Sequence, residues 1–324
     1  MPTVSIITPC YNSARFVART IASVRAQTFA DWEHIVVDDG SADESAAEVE
    51  ALLAEEPRLR LIRQPNGGVC RARNRGYQAS SPDSAYLLFL DADDCLEPRM
   101  LEVMVGILEA HPEVGFVHCG HRFIDADDNL LPLADSAVGF RPRYAPGKLG
   151  VRALPPDWAE TPFVSIFALA GIVPSLVVMR RSVYAQTPGW DETFGQHYED
   201  TDLFLHLALR ARVRYVPEPL VRHRRHAGQS TADTGKFARQ EQKLYAKWRR
   251  MEGLTAPQRA VVEAAWRFYE GRLTPYIGLR AGNRHLRRGE AGCAARFYLG
   301  ALRRYAASFV PGFPLPGRSS ERSP

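Results

Sequence analysis

Residues 86–95 have the sequence YLLFLDADDC, in which an unbroken apolar run stops at a cluster of carboxylates. The five apolar residues 86–90 suit a β-strand that is buried on both faces. Unpaired carboxylates do not continue into a protein core, so we expect this strand to end at a surface cleft. The cleft would then hold Asp91, Asp93 and Asp94 at the C-terminal edge of the strand, where open α/β sheets bind ligands.

This acidic cluster has two interpretations from its residues alone. Asp-x-Asp offers the oxygen ligands that Mg²⁺ and Mn²⁺ prefer, which predicts a cation site at Asp93. Alternatively, the acids form a turn, and Asp94 caps a helix that begins in the following LEPRM segment. The strands that precede the cluster in the sequence bear on this choice.

The first 95 residues alternate strand and helix patterns in the order βαβαβαβ, which predicts a parallel, doubly wound sheet. Three further apolar strand patterns begin at Val4, Trp32 and Leu59, and each stops in polar or glycine-rich residues. Since parallel strands end at the same edge of a sheet, these strand ends should meet the acidic cluster in one cleft. The strand-end residues are Thr8, Pro9, Tyr11 and Asn12, then Asp38 and Asp39, then Asn66, Gly67 and Gly68.

These strand ends carry the chemistry needed to bind a nucleotide, a diphosphate and a cation. The ring of Tyr11 can pack on a base, and the carboxylate of Asp39 can accept hydrogen bonds from a ribose or a base N–H. A metal ion at Asp93 can hold a diphosphate. The sequence contains neither GxGxxG after the first strand nor GxxxxGK[ST], which argues against a dinucleotide-binding Rossmann domain and excludes a P-loop.

Four sequence blocks, VSIITPCYN, VVDDGSAD, NGGVCRARNRG and FLDADD, resemble in order and spacing the family 2 glycosyltransferases of the GT-A fold. A later segment, GWDETFGQHYEDTDLFLHLALR, is similar to the Glu-Asp block of that family. The resemblance implies a mixed, mostly parallel nucleotide-binding sheet flanked by helices. It also implies inverting transfer of a sugar from a nucleotide-diphosphate donor, with a UDP-sugar favoured, to a hydroxyl on a glycan or lipid-linked acceptor.

The resemblance further implies roles for individual residues. Pro9 and Tyr11 would lie beside the base, and Asp39 would bind the base or the ribose. Asp91 would face the ribose or the sugar, and Asp93 would bind the divalent cation, Mg²⁺ or Mn²⁺. The complete set of implied nucleotide-sugar-binding residues is Thr8, Pro9, Tyr11, Asn12, Asp39, Gly68, Arg73, Asn74 and Asp91. For Arg73 and Asn74 a purely structural role is the alternative.

The Glu-Asp block supplies the candidate catalytic residues. Inverting transfer needs a general base that takes the proton of the acceptor hydroxyl as it attacks. Asp200 is the candidate base, and Glu199 would orient the acceptor or the donor sugar. The alternative is that both acids only compensate a helix dipole in a first helical turn. Asp202 is expected on the helix surface.

A basic segment, VRHRRHAGQS at residues 221–230, is similar to the Arg-x-x-His that often ends the catalytic domain of the family. His226 is therefore a candidate cation ligand or diphosphate contact. Arg222, Arg224 and Arg225 are candidates for neutralising phosphate charge. The alternative is a solvated basic loop.

The pattern of the chain changes after residue 230. Residues 1–230 form the predicted GT-A glycosyltransferase domain, and residues 231–310 form a predicted helical extension with Arg and Lys opposite its apolar faces. Residues 311–324 are rich in Pro, Gly and Ser and predict a flexible tail. The irregular stretch 134–160 predicts a mobile loop or acceptor-side lid, or else a surface insertion without a role.

Composition indicates the compartment and the partners. A net charge of only +4 does not favour a nucleic-acid partner. Five scattered cysteines without a CxxC pair favour reduced thiols, and the sequence shows neither a signal-peptide pattern nor a long apolar span. We therefore expect a cytoplasmic location. The basic C-terminal part either only aids solubility or contacts an anionic surface, such as the inner face of the membrane or an acidic glycan.

Two other functions are compatible with an α/β sheet and paired acids. A nucleotidyltransferase would need a glycine-rich loop with Lys or Arg after the first strand, and this chain has PCYN there. A non-catalytic nucleotide-sugar-binding module would not need acids at every expected catalytic position, and here all of them are present.

Overall fold

The computed structural model describes residues 2–132, 160–161, 163, 166–167, 172–226, 234–268, 279, 282–283 and 285–307. The chain divides into two compact units. The first unit consists of Met1–Arg143 and Leu154–Glu241, and the second consists of Tyr144–Ala153 and Gln242–Pro324. The predicted tail at 311–324 lies outside the described residues, and so does the predicted loop or lid at 134–160 apart from Glu160. The domain boundaries inferred from the sequence stay predictions.

The first unit contains a mixed sheet, which has eight strands within the described residues. Its strands are β1 (Val4–Cys10), β2 (Trp32–Asp38), β3 (Leu59–Arg63), β4 (Tyr86–Phe89), β5 (Cys95–Leu96), β6 (Val114–Ile124), β7 (Val177–Arg180) and β8 (Arg212–Arg224). They lie in the order β3-β2-β1-β4-β7-β6-β8-β5. The helices of this unit up to β8 are α1 (Val17–Arg25), α2 (Ser45–Leu53), α3 (Val69–Ala79), α4 (Met100–Ala110), α5 (Arg181–Tyr184) and α6 (Glu199–Ala208).

The N-terminal half of this sheet is parallel, as the sequence predicts. β1 lies between β2 and β4 and pairs in parallel with both, and β2 pairs in parallel with β3. All four residues of β4 are buried, because α-helical crossovers cover a parallel sheet on both faces. The shared register brings the ends of β1, β2 and β4 to one edge, where the N–H of Leu90 donates to the carbonyl of Ile7 at 2.9 Å.

The other half of the sheet is mixed. β7 is antiparallel to both β4 and β6, β8 is parallel to β6, and the short β5 is antiparallel to β8. β8 extends into the basic segment, because its pairing with β6 continues through Arg224. The basic segment is therefore part of the sheet up to this residue, and the alternative of a solvated loop is wrong for Arg224, which is fully buried.

Helices α7 (Thr234–Arg249), α8 (Ala256–Phe268) and α9 (Ala291–Ala307) confirm the predicted helical C-terminal part. Within the second unit, Leu244, Trp248 and Val262 are buried, and Arg249 Nε lies 3.0 Å from Glu263 Oε1. Among the helices that the structure describes, none combines the length and the apolar composition that crossing a bilayer requires.

Candidate active site

A cavity of about 770 Å³ lies in the first unit, at the edge of the sheet where β1, β2 and β4 end. The strand ends, the loop before α3, the first turn of α6 and the end of β8 form its wall. Eleven of the thirteen residues predicted for the site line this cavity. The eleven lining residues are Pro9, Tyr11, Asn12, Asp39, Gly68, Arg73, Asp91, Asp93, Glu199, Asp200 and His226.

Thr8 and Asn74 are the two predicted residues that lie outside the cavity wall. Thr8 is fully buried, and its hydroxyl is 2.9 Å from Nε2 of His34, whose pKa burial lowers to about 3. The amide of Asn74 donates to the carbonyl of Trp190 at 2.9 Å and accepts from the N–H of Trp190 at 3.1 Å. Asn74 thus holds the loop before α6, which matches the structural alternative for this residue.

Asp39 fixes the loop that follows β3. Its Oδ1 accepts from the N–H of Gly67 at 2.9 Å and from Nε2 of Gln64 at 2.7 Å, and its Oδ2 accepts from the N–H of Gly68 at 2.8 Å. Gly68 has φ of +89°, a conformation that favours glycine. A carboxylate offers about four acceptor positions, so Asp39 retains capacity for a ligand beyond these three bonds.

Arg73 is buried at the base of the cavity between two carboxylates. Its Nη2 lies 2.8 Å from Oδ1 of Asp91, and its Nη1 lies 3.1 Å from Oε1 of Glu199. The guanidinium carbon is 4.2 Å from the ring centroid of Trp190. Burial acts to lower the pKa of Arg73, but the charges of Asp91 and Glu199 overcome it and hold that pKa above its usual value. The arginine therefore joins the end of β4 to the start of α6 as a permanent cation.

Two candidate catalytic acids occupy the first turn of α6. His197 and Tyr198 have φ of +75° and +67°, and these two residues turn the chain into the helix. Oε2 of Glu199 is buried and has no hydrogen-bond partner among the described residues. Oδ1 of Asp200 accepts from the N–H of Thr201 at 2.6 Å. Burial, and then the charge of Glu199, raise the pKa of Asp200 to about 7.

Asp202 does not lie on the helix surface, so that prediction is wrong. Its side chain is buried, with Oδ2 3.9 Å from Nε2 of His206 one turn later. Eight of the ten residues of α6 are buried, and Asp202 and His206 are among them.

Asp93 and His226 meet at the cavity wall although 133 residues separate them in sequence. Oδ2 of Asp93 lies 3.0 Å from Nε2 of His226, and the imidazole ring packs 4.7 Å from the ring of Phe16. One carboxylate oxygen and one imidazole nitrogen are a suitable donor set for a divalent cation that takes its other ligands from a diphosphate and water. The residues present therefore fit such a cation.

Asp94 is not a helix cap, so that interpretation is wrong. α4 begins at Met100, and Oδ1 of Asp94 instead accepts from the N–H of Arg224 at 3.0 Å. The carboxyl is buried, and burial raises its pKa to about 7 against the opposing effect of His223. The third acid of the opening stretch is thus a contact between the strand end and β8.

The arginines near His226 are occupied elsewhere. Nε of Arg224 donates to the carbonyl of Asp93 at 2.8 Å, Nε of Arg222 lies 3.4 Å from Oε1 of Glu97, and the guanidinium carbon of Arg225 lies 3.8 Å from the ring centroid of Phe123. Within the described residues, none of the three arginines lines the cavity.

The cavity also contains residues that the sequence did not indicate. Phe16 comes from the residue before α1, Pro174 from the turn before β7, and His223 from β8. Nδ1 of His223 is buried without a hydrogen-bond partner among the described residues. The alternation of side chains along a strand could have indicated His223 only if the full length of β8 had been known.

Comparison with known proteins gives the family. The model of the family described as "Glycosyl transferase family 2" matches residues 5–185. The chain belongs to this family. The match includes the strand ends but stops before α6, so the roles of Glu199, Asp200 and His226 depend on the geometry above.

Individual proteins are similar to this family 2 chain over different extents. The O-antigen biosynthesis protein RfbC of Myxococcus xanthus is 29% identical over 238 residues, which are 72% of this chain but only 16% of that protein. S. aureus TarS 1–349, solved with UDP-GlcNAc, has a TM-score of 0.62 at 14% identity and covers 94% of this chain and 92% of its own. The mannosyltransferase PcManGT of Pyrobaculum calidifontis, solved with GDP-Man and Mn²⁺, has a TM-score of 0.62 at 18% identity. That match covers 95% of this chain and 88% of PcManGT. These likenesses confirm the predicted GT-A fold.

Arg73 offers a test of how the site is held together. Arg73→Met leaves the buried carboxylate of Glu199 and the half-buried carboxylate of Asp91 without their cation, and removing one partner of a buried ion pair costs about 3–5 kcal/mol. We expect a loss of this size in the free energy of unfolding, measured by urea denaturation. Arg63→Met is the matched control, since Arg63 pairs with Glu50 at 2.9 Å but is 55% exposed, and we expect it to cost less than about 1 kcal/mol. Equal effects of the two substitutions would contradict the bridging role of Arg73.

Proposed function

We propose that this chain is an inverting glycosyltransferase that moves a sugar from a nucleotide-diphosphate sugar to a hydroxyl of a glycan or lipid-linked acceptor. The observation that carries this proposal is that one cavity contains a candidate base, Asp200, together with the candidate cation pair of Asp93 and His226. Membership of glycosyl transferase family 2 supports the reaction class. The likeness to an O-antigen biosynthesis protein supports a product at the cell surface.

The donor would bind along the strand ends. Tyr11 is 51% exposed at the cavity and offers a ring face to a base, while Asp39 offers acceptor capacity to a base N–H or ribose hydroxyl. Asp91, held by Arg73, would face the ribose or the sugar. We favour a UDP-sugar, and the UDP-GlcNAc bound to TarS supports this choice.

A divalent cation, Mn²⁺ or Mg²⁺, would be held by Asp93 and His226. The wall contains six acids and, among the described residues, a single arginine, whose two Nη atoms already contact Asp91 and Glu199. An entering diphosphate would meet unfavourable charge there. When bound, the cation would neutralise the leaving diphosphate. The Mn²⁺ in PcManGT supports this assignment.

Asp200 would act as the general base. As the acceptor oxygen attacks the anomeric carbon, its proton passes to the carboxylate of Asp200 and the bond from that carbon to the diphosphate oxygen breaks, which inverts the configuration. Arg73 donates to Oε1 of Glu199. Oε2 of Glu199 is left to accept a hydrogen bond from a hydroxyl of the donor sugar or the acceptor. No enzyme nucleophile is needed, unlike in a retaining glycosidase.

We further propose that the basic C-terminal part makes peripheral contact with the cytoplasmic face of a membrane. Leu299 and Leu302 of α9 are 57% and 61% exposed, and Arg296 is exposed on the same helix. Exposed apolar residues beside basic ones suit an anionic lipid surface.

The proposed base predicts the dependence of turnover on pH. Asp200 can accept a proton only when it is ionised, and its pKa is raised to about 7, so kcat should rise with pH through about 7 and then level off. Asp200→Asn should lower kcat by a factor of about 10²–10⁴ and remove this rise. Turnover is measured by release of nucleoside diphosphate from a panel of nucleotide sugars with Mn²⁺ present.

The control for Asp200 is Asp127→Asn, which changes a carboxylate that is 69% exposed and should leave the profile unchanged. Full turnover by the Asp200→Asn variant would reject the assigned base alone. A wild-type chain that neither binds nor turns over any nucleotide sugar would reject the proposed function. Pyrophosphate release from a nucleoside triphosphate and a sugar phosphate would favour a nucleotidyltransferase.

The cation assignment predicts that EDTA abolishes turnover and that Mn²⁺ or Mg²⁺ restores it. Asp93→Asn should raise the concentration of Mn²⁺ needed for half-maximal turnover by more than about tenfold. Substituting a residue that only hydrogen-bonds a metal ligand already lowers metal affinity by about 10–100-fold, and Asp93 is proposed as a direct ligand. The Asp127→Asn variant should need the same concentration as the wild type. Turnover that persists undiminished in EDTA would show that the leaving group is neutralised in another way.

The membrane contact is tested by sedimentation with vesicles. The wild-type chain should co-sediment with vesicles that contain anionic lipid and be retained in their pellet. It should not co-sediment with uncharged vesicles, because the attraction depends on surface charge. Leu299→Ser with Leu302→Ser should reduce this retention. Equal retention by both vesicle types, or by neither, would contradict the proposed surface.

A further inference from the structure

Three side chains of different donor chemistry meet at the turn before α9, in the second unit. A ring nitrogen of His285, a carboxylate oxygen of Glu290 and Sγ of Cys293 all lie within 4.8 Å of one another. His285 Nδ1 and Glu290 Oε2 already form a hydrogen bond. Cys293 is exposed, whereas the other four cysteines of the chain are buried.

The backbone brings these three residues together. Gly289 has φ of +75°, which lets the chain reverse tightly, and the N–H of Glu290 donates back to the carbonyl of His285 at 3.0 Å. The carbonyl of Glu290 accepts from the N–H of Ala294 at 3.0 Å, so the next helix begins at once. His285 therefore lies across the turn from Glu290 and Cys293.

The orientation of His285 is fixed by a second contact. Its ring stacks on Phe297 of α9, with a centroid distance of 5.1 Å and an interplanar angle of 12°. The face of the imidazole is covered in this way, while Nδ1 points at Glu290. A histidine whose ring is held by packing loses less side-chain entropy when it binds a metal.

We propose that His285, Glu290 and Cys293 form a zinc site. One nitrogen, one oxygen and one sulfur are the three kinds of ligand that Zn²⁺ takes in proteins, and three protein ligands leave a fourth tetrahedral position for water. Three ligand atoms that lie within 4.8 Å of one another can take up zinc–ligand bonds of roughly 2.0–2.3 Å after side-chain rotation adjusts their spacing. The ion replaces the hydrogen bond between His285 and Glu290, and the thiol proton of Cys293 is released to solvent.

This site differs from the proposed donor cation site in position and in chemistry. Asp93 and His226 belong to the first unit and offer no sulfur, so they suit a cation shared with a diphosphate. A thiolate selects zinc over Mg²⁺ and Mn²⁺. The three residues span the turn, so the bound ion would clamp it and hold the start of α9.

The experiment uses the full chain with the substitution Asp93→Asn, which weakens the donor cation site, in buffer that contains excess Mg²⁺. Zn²⁺ binding is followed by calorimetry, and Co²⁺ is used as a spectroscopic probe of thiolate coordination. We expect one equivalent of Zn²⁺ to bind, a thiolate-to-cobalt charge-transfer band, and a rise in Tm with Zn²⁺. Cys293→Ser should abolish the charge-transfer band and lower Zn²⁺ affinity by more than about tenfold. Substitutions outside the direct ligands already lower metal affinity by about 10–100-fold.

His111→Ala is the matched control, because His111 Nδ1 forms an exposed pair with Glu113 at 3.3 Å. That substitution should leave the band and the affinity unchanged, whereas His285→Ala should weaken both. Absence of a charge-transfer band, or a Zn²⁺ affinity that is the same in the Cys293→Ser variant, would overturn the proposal. Both readouts are independent of glycosyl transfer, so failure here leaves the proposed function intact.

Discussion

The site depends on one buried cation, the guanidinium of Arg73, which lies between Asp91 and Glu199 at 2.8 and 3.1 Å. These carboxylates come from β4 and α6, and burying either of them without a partner would be costly. Arg73 compensates both and packs on Trp190, so it fixes the separation between the end of the parallel sheet and the helix that carries Asp200. The end of the parallel sheet and the start of α6 are therefore joined through the side chain of Arg73.

The same arrangement explains why the neighbouring acids differ. Glu199 gives one oxygen to Arg73, while the carboxylate of Asp200 is bonded to the N–H and the hydroxyl of Thr201. The charge of Glu199 disfavours the charged form of Asp200. Asp200 can therefore gain a proton near neutral pH.

The sequence predicted most of the parallel half of the sheet, because strand periodicity and polar strand ends are local signals. β1, β2 and β4 end beside the polar residues that the sequence indicated as strand ends. The errors at Asp94 and Asp202 have one cause. Each acid is buried by tertiary packing that no local pattern shows. The N–H of Arg224, from which Asp94 accepts, lies 130 residues away, and the helix α6 that carries Asp202 is covered on nearly all sides.

The start of α6 shows which effects decide the chemistry of Asp200. A helix N-terminus stabilises a carboxylate by about 0.3–1 kcal/mol, which would lower the pKa of Asp200. Instead that pKa rises from 3.8 to about 7, because burial and the charge of Glu199 outweigh the hydrogen bonds from Thr201 and the charge of Arg73. Two consecutive residues with positive φ, His197 and Tyr198, deliver the acid to this position, at a cost of about 1–3 kcal/mol each. Such strain persists only where the surrounding packing fixes it, and Tyr198 is itself buried. Burial and the charge of Glu199 thus give Asp200 the raised pKa that the proposed general base needs.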